Sequence, residues 1–205
     1  MKIKLCGLSS KEQVLTSVNY NADFCGFILN YTKSHRFISL ELAKKLTSLE
    51  KKNTKFVGVL VKPSNEEFEI FSKLNLDYFQ IYGDYTNEDI FKIKNKFKKK
   101  IISSIQVKNK DDVMKYKSVS IESDIVLWDS SGLEKSLEWN YDWIKSVPGE
   151  ITKMIAGNIS INKLNQISKI ADIVDVSGAL ETNKVKDIGK IKLFLNKIKK
   201  VNNEN

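Results

Sequence analysis

The feature that most constrains this chain is a pattern that switches between two periods along its whole length. Runs in which apolar and polar residues alternate, as on a strand, are followed by stretches with apolar residues three and four apart, as on a helix. The first run, 2–7, alternates Ile3 and Leu5 with Lys2 and Lys4 and stops at Gly7. Ser10-x-x-Gln13 then has the form of a capping box opening a helix that carries Val14, Leu15 and Val18. Further strands are predicted at 23–29, 56–61, 77–81, 101–107, 125–128, 151–156 and 173–176. Between them fall helical patterns: Leu42, Ala43, Leu46 and Leu49; Phe68, Phe71 and Leu74; Ile90, Ile93 and Phe97; a short one at 111–116; Ile161, Leu164, Ile167 and Ile170. A last helix covers 187–200, and a Trp139, Tyr141 and Trp143 cluster follows a polar loop. Eight strands alternating with helices over 205 residues predict an α/β fold, a single (β/α)8 TIM barrel spanning 1–205. A doubly wound open sheet is the other candidate, but Gly-x-Gly-x-x-Gly does not follow the first strand.

Composition removes several function classes. The net charge of +9 invites a nucleic-acid partner, yet the lysines are spread along the chain and the densest group, 94–100, ends a helix where cations suit the dipole. A solvated face is the expectation, with no nucleic acid and no membrane partner. One His and two Cys without a Cys-x-x-Cys leave too few soft ligands for a metal, and Cys6 and Cys25 make no disulfide framework. The N-terminus lacks an apolar signal region, so the expected location is cytoplasmic. Among 34 Lys and Arg residues, Arg36 is the one arginine. Its planar fork, which Lys cannot copy, suggests an anion with two parallel oxygens.

In a barrel of this kind chemistry sits where strands end, which makes Cys6, Arg36, Gln80, Asp129, Gly157, Asp175, Ser177 and Gly178 the candidates. Cys6 is either a small buried hydrophobe or a thiol able to accept a proton. Asp129, reached from an apolar strand, is either a loop cap or a carboxyl whose raised pKa lets it donate a proton. Small residues at Gly157-Asn158 and Ser177-Gly178 let backbone N–H groups approach a phosphate after the seventh and eighth strands.

Lys4-Leu5-Cys6-Gly7-Leu8, Lys33-Ser34-His35-Arg36-Phe37-Ile38-Ser39, Phe56-Val57-Gly58-Val59 and Gln80-Ile81-Tyr82-Gly83-Asp84 open a longer set. Leu127-Trp128-Asp129-Ser130, Tyr141-Asp142-Trp143, Ala156-Gly157-Asn158 and Asp175-Val176-Ser177-Gly178 complete it. In order and spacing this set resembles the phosphoribosylanthranilate isomerases of tryptophan biosynthesis, over nearly the whole chain. The resemblance implies a cofactor-free Amadori rearrangement of N-(5-phosphoribosyl)anthranilate, with Asp129 as general acid and Cys6 as general base. It implies that Arg36 holds the anthranilate carboxylate, that Gly157, Asn158, Ser177 and Gly178 hold the sugar phosphate, and that Asp175 and Gln80 line the pocket. A monomer or homodimer is expected.

The chain departs from the family pattern at several points. Ser131-Gly132-Leu133-Glu134-Lys135-Ser136-Leu137 replaces a Gly-Gly-Thr-Gly-like run, and Tyr82 stands where His is usual. Asn158 replaces a second Gly, Gly178 a second Ser and His35 a common Pro. A related phosphosugar isomerase of different substrate and a non-catalytic phosphometabolite-binding barrel are the alternatives.

Overall fold

The computed structural model describes residues 1–130 and 137–204. The first half runs β1 (Lys2–Cys6), α1 (Lys11–Asn19), β2 (Phe24–Ile28), α2 (Leu40–Thr47), β3 (Lys55–Val61), α3 (Asn65–Ser72), β4 (Tyr78–Tyr82) and α4 (Asn87–Phe97). The second half runs β5 (Lys100–Val107), a 3₁₀ helix (Lys110–Ser118), β6 (Ile125–Ser130), a 3₁₀ helix (Tyr141–Ser146), β7 (Lys153–Ile155), and α5 (Leu164–Ile167) entered through the 3₁₀ turn Ile161–Lys163. β8 (Ile173–Val176) is followed by the 3₁₀ turn Gly178–Leu180, a hairpin of β9 (Glu181–Thr182) and β10 (Val185–Lys186), and α6 (Ile188–Glu204). Strands β1 to β8 pair in parallel with their sequence neighbours, and β8 pairs with β1, so the sheet closes into the expected barrel. No helix among the described residues is long and apolar enough to cross a membrane.

Local sequence accounts for the helix starts. Ser10 with Gln13, Ser64 with Glu67 and Thr86 with Asp89 form reciprocal capping boxes that satisfy orphan N–H groups at α1, α3 and α4. The helices expected at 111–116 and 161–170 are instead a 3₁₀ helix and a 3₁₀ turn leading into a four-residue α-helix. The β9–β10 hairpin was not expected from the sequence, and β6 runs two residues further than predicted, through Asp129 to Ser130.

A parallel barrel leaves strand-start N–H groups without a ladder partner at its lower end, and this chain treats four of them alike. Asp23, Asp77, Asp124 and Asp172 each stand just before an even-numbered strand. Their carboxylates accept from the backbone N–H of Ile3, Phe56, Ile101 and Lys153, at the start of the preceding odd strand, at 2.9, 2.8, 2.9 and 2.7 Å. Each Asp N–H returns a bond to the carbonyl of the same residue.

Two cores separate inside from outside. Leu5, Cys25, Phe56, Phe79, Val126 and Trp128 face the helices, whereas Phe24, Val57, Ile102, Leu127, Met154 and Ile173 fill the barrel. On β1 the apolar residues Ile3 and Leu5 face the helical layer, which turns Lys4 and Cys6 inward. Lys4 is 0% exposed.

Candidate active site

One cavity opens at the carboxyl ends of the strands. It is lined by Cys6, Arg36, Asp129, Gly157, Asn158, Asp175, Ser177 and Gly178, all named from the sequence, with Tyr82, Ile28 and Ala156 among their neighbours. Gln80 lies deeper: it is fully buried and its Nε2 donates to the Tyr82 hydroxyl at 3.1 Å, so Tyr82 stands between it and the cavity. Residues Ser131 to Ser136, whose departure from the family pattern bears on the loop after the sixth strand, lie outside the described residues.

Asp129 is the inward residue of β6 after Ile125 and Leu127. The Tyr82 hydroxyl donates to its Oδ2 at 2.7 Å, and the Ser130 N–H donates to its Oδ1 at 2.7 Å. Burial pushes the carboxyl pKa up to about 6, against the pull of the Tyr82 bond and with the Asp175 charge assisting. A group so placed exchanges its proton close to neutral pH.

Cys6 ends β1 opposite Gly26 of β2, and its carbonyl accepts from the Ser177 hydroxyl at 3.0 Å. Burial lifts the thiol above its ordinary value of 9.0, while the Lys4 ammonium below it pulls the other way. Gly7, at φ +78°, then turns the chain under Arg36: a Cβ there would sit 2.6 Å from Arg36 Cδ.

Arg36 does not present an empty fork. Its Nε and Nη2 donate to Oε1 and Oε2 of Glu181 at 2.5 and 3.1 Å. Glu181 also accepts from Lys186 Nζ at 2.5 Å and meets His35 Nε2 at 3.1 Å. Although burial alone raises its pKa, the bonds from Arg36 and Lys186 hold the Glu181 carboxyl down at about 2. Lys186 also donates to the carbonyl and hydroxyl of Ser177, tying this cluster to the loop after β8.

The loop after β7 is braced from outside. Trp139 Nε1 donates to the Ala156 carbonyl at 2.9 Å and the Tyr141 hydroxyl to that of Gly157 at 2.5 Å, which gives the aromatic cluster its purpose. Gly157 sits at φ +100°, and a Cβ on it would meet the Leu137 carbonyl at 2.9 Å.

The sequence reading missed Lys4, Glu181 and Lys186, and saw Tyr82 only as a departure. A signal for Lys4 was present: two residues before Cys6 on one strand, it had to share the inward face of the thiol. Nothing in the pattern marked Glu181 or Lys186, because their positions depend on a hairpin of two-residue strands.

Comparisons with known proteins agree with this geometry. Residues 3–197 match the family model for N-(5'-phosphoribosyl)anthranilate (PRA) isomerase. The N-(5'-phosphoribosyl)anthranilate isomerase of Streptococcus mutans is 36% identical over 204 residues, covering 97% of this chain and 99% of the relative. That of Thermoanaerobacter pseudethanolicus is 32% identical over 203 residues, covering 97% and 98%. The crystal structure of the enzyme from Thermotoga maritima superposes with a TM-score of 0.85 at 25% identity, covering 98% of this chain and 99% of that one. A closed barrel, a buried carboxyl and thiol on one cavity, and a match across nearly the whole length together place the chain in the phosphoribosylanthranilate isomerase family.

Proposed function

We propose that this chain converts N-(5-phosphoribosyl)anthranilate to 1-(2-carboxyphenylamino)-1-deoxyribulose 5-phosphate, the isomerase step of tryptophan biosynthesis, with Asp129 as general acid and Cys6 as general base. The observation that carries this reading is a carboxyl with pKa near neutrality facing the same cavity as a thiol. Asp129 gives its proton to the furanose ring oxygen as the bond from C1 to that oxygen breaks, and the aniline nitrogen lone pair forms the C=N bond. The Cys6 thiolate then takes the C2 proton, and the released electron pair forms the C1–C2 double bond and neutralises the nitrogen. Protonation at C1 with loss of the C2 hydroxyl proton converts the enaminol to the ketone, so the rearrangement relocates protons with no net gain or loss.

The reaction needs the acid protonated and the thiol ionised together. Each unit by which the thiol pKa exceeds that of the carboxyl removes a factor of ten from that doubly competent fraction. With the thiol raised by burial and the carboxyl at about 6, only a small minority of the free enzyme holds both forms at once.

We assign the anthranilate carboxylate to the part of the Arg36 guanidinium that Glu181 leaves open. The phosphate goes to the backbone of Gly157, Asn158, Ser177 and Gly178, with the Lys186 ammonium beside Ser177 adding positive charge. Asp175 forms the floor, and Gln80 acts through Tyr82. We place this work in the cytosol, in a single-domain barrel over 1–205 acting as a monomer or homodimer.

The test is the fluorescence decay of freshly generated phosphoribosylanthranilate with purified protein, beside Cys6→Ala and Asp129→Asn. Parent turnover is expected to fall about 100-fold or more in each variant. Either variant keeping the parent rate overturns the proton-transfer roles.

A further inference from the structure

We propose that Lys4 is the positioning residue that makes Cys6 a base: its ammonium, clamped beneath the thiol by Asp175, holds the thiolate form in place. The inference deepens the reading of Cys6 as proton acceptor and rests on it.

Strand geometry puts the two groups together. Lys4 and Cys6 are two apart on β1 and point to the same side, so the lysine lies one layer below the thiol inside the barrel. Across the closing seam the register sets Lys4 opposite Asp175, and its Nζ donates to Asp175 Oδ2 at 2.8 Å. The same ammonium is a neighbour of the Cys6 sulfur, and each charge favours the other. On the other side, β2 supplies Gly26 in register with Cys6. A Cβ there would lie 3.1 Å from Cys6 Sγ, 3.1 Å from Lys4 Cε and 3.2 Å from Lys4 Nζ, so any side chain at that position would crowd both groups. Sulfur and ammonium share the room that its missing side chain leaves.

The electrostatics of this arrangement have a sign. The charged and titratable groups facing Cys6 are Lys4 on β1, Asp175 on β8, Lys186 on β10, Arg36 on the loop after β2 and Tyr82 on β4. Burial by itself drives a lysine toward the neutral amine. Here Asp175 and Cys6 outweigh burial and hold Lys4 above its ordinary range, so it is a fixed positive charge at every working pH. A lysine present only to neutralise Asp175 would not need to share the space beside Gly26 with the sulfur. During the reaction the proton passes from sugar C2 to sulfur and Lys4 keeps all of its own. Its part is to stabilise the thiolate before that transfer, which narrows the pKa gap that limits the doubly competent fraction.

The experiment reads the thiol without substrate, so its failure is distinct from failure of the isomerase reading. Alkylation of Cys6 by iodoacetamide, followed by peptide mass spectrometry across pH, gives the midpoint of thiolate formation in the parent, Lys4→Met and Asp175→Asn. Cys25 stays silent because burial pushes its thiol up to about 12. The midpoint is expected to rise by about one unit or more in Lys4→Met and to fall in Asp175→Asn, where the unopposed ammonium acts on sulfur alone. A midpoint that stays put in Lys4→Met, or that rises or stays put in Asp175→Asn, overturns the proposal. If Lys4→Met does not fold, the direction of the Asp175→Asn shift decides alone.

Discussion

Two ion pairs bracket the cavity, and they are built differently. Lys4 and Asp175 stand on neighbouring barrel strands, in register and below the thiol. Arg36 and Glu181 come from the loop after β2 and from the hairpin after β8, above it. The lower pair joins residues that the ladder sets side by side, and in the proposed reaction it would act only through Cys6. The upper pair belongs to a cluster in which one carboxylate serves Arg36, Lys186 and His35, so a cation there has a carboxylate neighbour with or without a ligand. On the roles proposed above, the charge that would tune the thiol stands on barrel strands, and the charge that would meet the substrate stands on a loop and a short hairpin.

The sharpest way to break this contrast is to remove one member of each pair. Asp175→Ala leaves an ammonium uncompensated inside the barrel, and a loss of about 3–5 kcal/mol is expected in urea unfolding. Lys4→Met combined with Asp175→Leu should recover most of that loss, since no charge is then stranded. If Asp175→Ala unfolds at the parent urea concentration, the lower pair is not the rigid element described.

At the upper pair, Glu181→Gln should leave kcat within about twofold and raise KM about tenfold, near 1.4 kcal/mol, because Arg36 loses the carboxylate that orients it. A large fall in kcat with unchanged KM would move Glu181 into the chemistry. The same residue predicts an acid-side signature. Its carboxyl pKa is depressed from 4.5 to about 2, so its stabilising share is present above about 4.5 and disappears as pH falls toward 2. Glu181→Gln should therefore flatten stability against pH in that window and leave it parallel to the parent above pH 5.

The smallest effect belongs to the bond from Tyr82 to Asp129. Tyr82→Phe removes the donor that favours ionised Asp129, so the acid limb of the pH–rate profile should move upward from about 6 by roughly half a unit to one unit. A limb that moves down would mean that Tyr82 supports the protonated acid instead.

How far the sequence carried can be judged from these same residues. Asp129 was legible because an apolar strand ends on it, and the barrel because periodicity survives in eight successive segments. Lys4 was hidden because the alternation of Lys2 and Lys4 with Ile3 and Leu5 marks a strand without saying which face is inside. A barrel strand has no wet face, and its inner side accepts a lysine once a partner 171 residues away faces it. The helices expected behind β5 and β7 are largely 3₁₀: Ile161, Leu164, Ile167 and Ile170 recur every three residues, a spacing that suits a 3₁₀ turn as well as an α-helical face. Asp23 and Asp77 fell at the starts of predicted strands and Asp124 and Asp172 just before them, but their common task exists only after neighbouring strands pair.

The seam between β1 and β8 has a consequence for how the molecule comes to be active. Thiol and ammonium lie near the start of the chain, while the carboxylate that clamps the ammonium lies on the last barrel strand. Contacts of that sequence separation are the ones whose loop-closure entropy delays them in folding. A barrel with seven strands paired and the eighth still loose holds Cys6 and an unclamped lysine open to water. Closure of the barrel therefore joins Lys4 to Asp175 and completes the cavity that Cys6 and Asp129 share in one event.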